Sequence, residues 1–409
     1  MAEGYRVRQW TGRLPKSGAA KVAARMAALV AAAVLSACST VVPRAPVQAP
    51  PPVQRAPDYD RVDPGIPRDT QRNRVALLVP LTGGNAGVGQ SIANATQLAM
   101  LDTGTTQVRV TTYDTAPNGP LGGAAAAARR AIADGAQLIL GPLLADDARG
   151  VGPVARAAGV PVLSFSNDSG VAGQGTYVMG YTPAQSVDRV VGYARSRGVT
   201  SFAGLVPNGL YGERASTSFL RAVEAGGGQV VSLQTYSRTP PGIATAAARV
   251  AAKAPWGAVL IADGGATAAV AATAARRGSP GARVLGTELW NSESGIAARP
   301  QLAGAWFASV SDVLYRQFAA KYRARFGTGP YRLASLGYDS VLLTVRIARD
   351  WRVGDRFPEA RLRDADGFAG LDGAFRFGRD GVAERALEVQ EIRGGQAVVV
   401  SPAPARFGR

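Results

Sequence analysis

The chain has 409 residues, 46 Lys and Arg against 29 Asp and Glu, a formal net charge of +17, one cysteine and no histidine. Without histidine neither a Ser–His–Asp triad nor a Cys–His pair can be assembled, a zinc site loses its usual ligands, and a single cysteine forms no internal disulfide. No Lys/Arg block interleaved with aromatics marks a nucleic-acid surface, and the candidate acids for hydrolysis, Asp146, Asp147 and Asp263, sit in no recognisable motif, so the chain reads as non-enzymatic, without cofactor or metal.

In chain order, Arg6, Arg8, Arg13, Lys16, Lys21 and Arg25 precede an apolar run from Met26 to Leu35, followed by Leu35-Ser36-Ala37-Cys38. A charged flank, an apolar centre and small residues make up a secretory signal, and the run is short of the roughly 20 residues that span a bilayer. Residues 1–37 are therefore expected to be a signal peptide. The Leu-Ser-Ala-Cys step resembles the lipobox of bacterial lipoproteins, which implies diacylation of Cys38 and a membrane contact made through lipid alone. Ser39 in place of Asp in that pattern implies the outer membrane, facing the periplasm. From Cys38 onward the formal charge is +12.

Residues 38–73 form a linker carrying Pro43, Pro46, Pro50, Pro51, Pro52, Pro57, Pro64 and Pro67 with no apolar periodicity. Such a segment buries no core, and in polyproline form it reaches on the order of 100 Å.

From Arg74 short apolar runs alternate with Ala-rich segments. Strands are expected at 75–79, 108–113, 138–140 and 162–165, separated by helices at 88–101, 121–134 and 146–158. The rhythm resumes with helix 183–197, strand 202–206, helix 211–225, strand 229–236, a helix to Ala254, and strands at 258–262 and 284–285. Helices follow around 318–326 and 334–350, then an alternating segment turning at Asp380-Gly381 like a hairpin. Strands apolar on both faces, alternating with helices, mean parallel sheet and an α/β fold in two lobes, with ligands at the strands' carboxyl ends.

The loop Gly84-Asn85-Ala86-Gly87-Val88-Gly89-Gln90-Ser91 nearly matches a phosphate-binding loop, but Gln90 replaces the lysine that contacts phosphate. Its glycines read as a tight turn instead.

Val75 to Gly83, Tyr113-Asp114-Thr115, Gly135 to Leu143, Val160 to Asn167 and Tyr211-Gly212-Glu213 together resemble type I periplasmic binding proteins of the leucine/isoleucine/valine-binding kind. Gly141-Pro142-Leu143, the Ser164-Phe165-Ser166-Asn167 strand end and the lipoprotein leader look most like the penicillin-binding protein activators of that superfamily. The resemblance implies two lobes joined by three chain crossings, with lobe one at 74–183 and 311–350 and lobe two at 184–310 and 351–409. It implies regulation of peptidoglycan synthesis by contact with a synthase. The alternative is a solute receptor delivering an amino acid or similar molecule to an ABC importer.

The resemblance also nominates cleft residues: Ser164, Ser166, Asn167, Tyr211, Glu288 and Trp290. In amino-acid receptors of the superfamily a hydroxyl after the Gly-Pro step helps hold the ligand carboxylate. Here Leu143-Leu144-Ala145-Asp146-Asp147 offers none, and its two acids would repel an anion. Glu288 stands where an acid meets an ammonium group. Each residue has a plainer role available: Ser and Asn cap turns, Tyr211 and Trp290 pack, and Asp146 and Asp147 suit a helix N-terminus.

Overall fold

The computed structural model describes residues 71–293, 295–404 and 407; the signal segment, Cys38 and the linker to residue 70 lie outside the described residues. Strand β1 (Asn73–Val79) shows why both faces of a central strand are apolar. Val75, Leu77 and Val79 pack toward α1 (Ala86–Thr103), while Ala76 and Leu78 pack toward α2 (Ala124–Ala133) and α3 (Ala145–Ala158). Full burial of each such Leu or Val contributes about 1.5–3 kcal/mol.

With β2 (Val108–Asp114), β3 (Leu138–Leu140), β4 (Val162–Ser164) and β5 (Thr176–Val178), β1 forms a five-stranded parallel sheet in the order β2-β1-β3-β4-β5. Helix α3 carries Asp146 and Asp147 in its first turn and stops at Gly159, whose φ of +66° suits glycine.

The second sheet contains β6 (Ser201–Pro207), β7 (Gln229–Tyr236), β8 (Ala258–Ile261), β9 (Arg283–Gly286) and β10 (Trp306–Ser309), all parallel. Two antiparallel strands, β14 (Glu388–Arg393) and β15 (Gln396–Ser401), complete the order β15-β14-β10-β9-β8-β6-β7. Helices α4 (Pro183–Ser196) and α5 (Leu210–Ala225) cover one face, α6 (Pro240–Ala251) and α7 (Gly265–Ala275) the other. The α/β architecture of two sheets flanked by helices is the expected one.

Two helices return to the first lobe: α8 (Val313–Phe326) packs on Ala95 and Leu98 of α1, and α9 (Ala334–Ala348) joins α1 over the first sheet. The next segment requires a correction. Residues 351–409 were assigned to lobe two, but Trp351, Phe357, Leu362, Phe368, Phe375, Phe377 and Ala383 all enter the first lobe's core. The hairpin at Asp380-Gly381 joins β12 (Gly373–Phe377) to β13 (Ala383–Arg385) and, with β11 (Phe368–Gly370), makes a three-stranded meander. A bridge from Val178 to Val382 fastens it to the edge of the first sheet. Only β14 and β15 rejoin the second sheet. The phenylalanines decide this: alternation marks them as buried but does not say in which core.

The chain thus crosses between lobes three times, at Thr182, at Ser311-Asp312 and at Ala386-Leu387.

Candidate functional site

Loops at the carboxyl ends of strands in both sheets enclose a cavity of about 320 Å³ between the lobes. The first lobe supplies Val88, Leu143, Leu144, Phe165 and Leu333, and the second supplies Leu289, Val310 and Leu387, so most of the wall is apolar. Leu143 and Leu144 occupy the position where a receptor hydroxyl was looked for. Asp146 and Asp147 do not line the cavity; Asp146 pairs with Arg149 on the helix surface at 2.6 Å, so the expected repulsion of a bound anion does not arise there.

The polar groups fall into two sets. In the second lobe, Glu288 follows β9 and lines the cavity. Its carboxylate accepts hydrogen bonds from the Ser186 hydroxyl of α4 and, at 3.0 Å, from Tyr211 of α5; Tyr211 in turn shares a 2.9 Å contact with Thr287. Burial pushes the Glu288 carboxyl above its ordinary value, and the two hydroxyls pull it back only in part. Among the described residues no Lys or Arg nitrogen lies within 4.0 Å of it.

In the first lobe, Arg332 pairs with the buried Asp372 at 2.7 Å and with Asp312 at 3.6 Å, and its guanidinium lies 4.0 Å from the Tyr315 ring centroid. Asn291 reaches over from the second lobe; oriented with its amide oxygen toward Arg332, it accepts from Nε at 3.1 Å and Nη2 at 3.2 Å. Tyr181 donates to Asp372. Behind them Asp339 is fully buried and accepts the Leu371 N–H at 2.7 Å. Burial and the neighbouring charge of Asp372 push its carboxyl up to about 7. Arg385 also lines the cavity, stacked 4.8 Å from the Tyr181 centroid and 5.1 Å from that of Phe375.

A further contact joins the lobes beside the cavity. Asp168, 2% exposed, follows β4 and is held by Arg149 of its own lobe and, at 3.1 Å, by Arg214 of α5. A Cβ on Gly170 would stand 2.4 Å from the Arg214 guanidinium, so glycine there leaves room for the contact.

Of the six nominated residues, the structure brings Asn167 and Glu288 to the cavity, with Tyr211 immediately behind Glu288. Ser164 and Ser166 do not line it: Ser164 donates to the Pro142 carbonyl at 3.2 Å, and Ser166 accepts the Asp168 N–H at 3.1 Å. They build the turn that presents Asn167 and Asp168. Trp290 is core, wholly buried, with its indole N–H on the Asp263 carbonyl at 2.9 Å. Nothing in the sequence marks Arg332, in the turn before α9, or Arg385, on β13, as pointing inward, because a lone arginine in a turn or a short strand reads as solvent-facing. The glycine-rich loop also has a plain explanation. A Cβ on Gly89 would stand 1.8 Å from the Pro80 carbonyl oxygen, so that glycine lets α1 approach the end of β1.

A family model described as periplasmic binding protein matches residues 73–397. The Rhodopseudomonas palustris BisB5 solute binding protein of an ABC transporter, solved in complex with 3,4-dihydroxy benzoic acid, is similar with a TM-score of 0.62 and 21% identity, covering 82% of this chain and 98% of that one. The Streptococcus pneumoniae branched-chain amino acid transporter substrate binding protein LivJ, solved with isoleucine, is similar with a TM-score of 0.61 and 18% identity, covering 81% and 100%. At these identities the likeness is one of fold. An uncharacterized Rickettsia prowazekii protein, RP748, is 24% identical over 149 residues, 36% of this chain and 39% of that protein, so the match spans well under half of the curated relative.

Proposed function

From the premise that the chain belongs to the periplasmic binding protein family, we propose that it is a solute-binding protein that takes an amino acid or similar small molecule into the interlobe cleft for an ABC importer. Family membership carries a periplasmic location. The observation that supports this reading most is the cavity of about 320 Å³ between the lobes, with an apolar wall and a half-buried carboxylate, Glu288, within 4.0 Å of which no Lys or Arg nitrogen of the described residues lies. Its size falls within the range of small-molecule pockets, and a ligand ammonium is the natural partner for such an acid. The fold is shared with solute-binding proteins solved with isoleucine and with 3,4-dihydroxy benzoic acid, ligands that join a carboxylate to an apolar body.

The reading as a peptidoglycan synthase activator rests on the resemblance carried by Gly141-Pro142-Leu143, Ser164 to Asn167 and the lipoprotein leader, with the Pro-rich stretch after Cys38 as a tether, and a long tether serves a receptor equally well. Lipidation of Cys38 and outer-membrane anchoring belong to the same proposal: the Cys38→Ser chain is expected in the soluble periplasmic fraction, and its retention on membranes would refute the anchor. Among the described residues no helix is long and apolar enough to cross a membrane.

Thermal unfolding of the purified chain against a panel of amino acids and small aromatic acids tests the receptor reading. A ligand at 100 times its Kd stabilises by about 2.7 kcal/mol, a shift of several degrees. No shift with any of them, together with capture of a periplasmic cell-wall synthase, would move the assignment to the activator.

A further inference from the structure

We infer that the acid group of the ligand is received by Arg385, at the last chain crossing. The inference rests on the solute-receptor reading and adds to it the residue that reads the acid.

The wall beyond the Gly141-Pro142 step is made by Leu143 and Leu144, whose side chains have no donor to offer a carboxylate. Two cations line the cavity. Arg332 is already engaged by Asp372, Asp312, Ser335 and Asn291. Arg385 is not. It is 7% exposed, and among the described residues no carboxylate oxygen lies within 4.0 Å of its guanidinium. Nη2 donates to the Met179 carbonyl, whereas Nε and Nη1 are buried with no hydrogen-bond partner.

Nη2 carries two hydrogens, one beside Nε and one beside Nη1. Whichever is spent on Met179, the other completes a two-donor edge with an unpartnered nitrogen, the shape that matches a carboxylate. Asp372 and Asp339 lend Arg385 charge compensation without reaching its guanidinium, but the unmade hydrogen bonds of Nε and Nη1 remain costly. A ligand acid removes that penalty, while Tyr181 and Phe375 hold the guanidinium plane in place. Gln185 of α4, which also lines the cavity, has its Oε1 buried without a partner and its Nε2 on the Ala383 carbonyl, two residues from Arg385. An orphan acceptor and orphan donors on residues that line the same cavity suit a ligand with an N–H or O–H besides its acid.

Calorimetric titration with L-isoleucine against L-isoleucinamide, and benzoate against benzamide, tests this on the full chain. The wild type is expected to bind at least one acid about 100-fold tighter than its amide, and Arg385→Gln to lose about 100-fold for the acid and little for the amide. Equal binding of acid and amide by the wild type, or unchanged acid binding by Arg385→Gln, overturns the role of Arg385 and leaves the receptor reading standing. Failure of the wild type to bind any of the four removes the receptor reading and this inference with it. If Arg385→Gln does not melt cooperatively, Arg385→Lys takes its place: it keeps the charge but not the planar edge, so a loss of about tenfold is expected and unchanged affinity overturns the proposal.

Discussion

Glu288, half-buried, and Asp339, fully buried, are carboxyls in different situations. Glu288 has hydroxyls on both oxygens and cavity in front of it, so its missing partner is expected from outside the chain. Glu288→Gln should weaken L-isoleucine about 10- to 100-fold in a titration and leave 3-methylpentanoate, which lacks the amine, unchanged; equal losses on both would show that Glu288 only shapes the pocket. Asp339 is sealed behind Asp372 and Arg385, and its raised carboxyl makes the folded chain bind a proton that the unfolded chain, titrating near 4, has released. That contribution is complete below about pH 4 and is lost as pH rises toward about 7. Asp372, held low despite burial by Arg332 and Arg385, acts in the opposite sense only under more acidic conditions. No histidine titrates in between. The wild type should therefore melt higher at pH 5 than at pH 8, and Asp339→Asn should flatten that slope; a slope unchanged in Asp339→Asn would assign it to other raised carboxyls. Among single residues, the place of Glu288 beside the cavity follows from the resemblance, which sets an acid after a second-lobe strand. Arg385 was not legible, since burial of a charge depends on neighbours such as Phe375 and Tyr181 that reach it only through the fold.

The two sheets open with the same device. Pro80 directly follows β1 and Pro207 ends β6, and each is followed by a helix whose early glycine touches that proline's carbonyl: a Cβ would stand 1.8 Å away at Gly89 and 1.7 Å away at Gly212. Gly89→Ala and Gly212→Ala should each cost about 1–3 kcal/mol, read as a lowered urea midpoint. Gly192→Ala, in open space on α4, should be neutral or stabilising by up to about 1 kcal/mol. Equal effects at all three positions would show that helix propensity, not the close approach, governs them. Elements with a clear pattern, such as the continuous apolar run of β1 and the striped α5, are readable from the sequence. β5 (Thr-Tyr-Val) and β10 (Trp-Phe-Ala-Ser) lack the aliphatic run that marks the equally short β3 and β8. α7 was missed because its alanines are apolar all round, leaving no stripe to mark a face.

At the scale of the molecule, closure of the cleft is held by Asp168–Arg214 and Asn291–Arg332. The Arg214 side chain is about half exposed, so the first contact is screened and modest in strength. Asp168→Asn should raise the radius of gyration of the ligand-free chain in solution scattering and raise the Kd severalfold, because apparent affinity falls with the fraction of molecules that are closed. An unchanged radius would mean that the contact follows closure without stabilising it. The bilobed plan was legible from two runs of alternating strands and helices. The latch was not, since its partners lie 46 residues apart on different lobes.

The interleaved path of the chain has a consequence for how the protein comes into being. The first lobe is unfinished until the meander after Trp351 arrives, and the second until β14 and β15 follow. Neither half is a contiguous stretch, so synthesis cannot complete one and then begin the other. A chain emerging through the membrane would hold both halves incomplete until β14 and β15 are out, and both would then close together. The protein should unfold as one cooperative unit rather than as two.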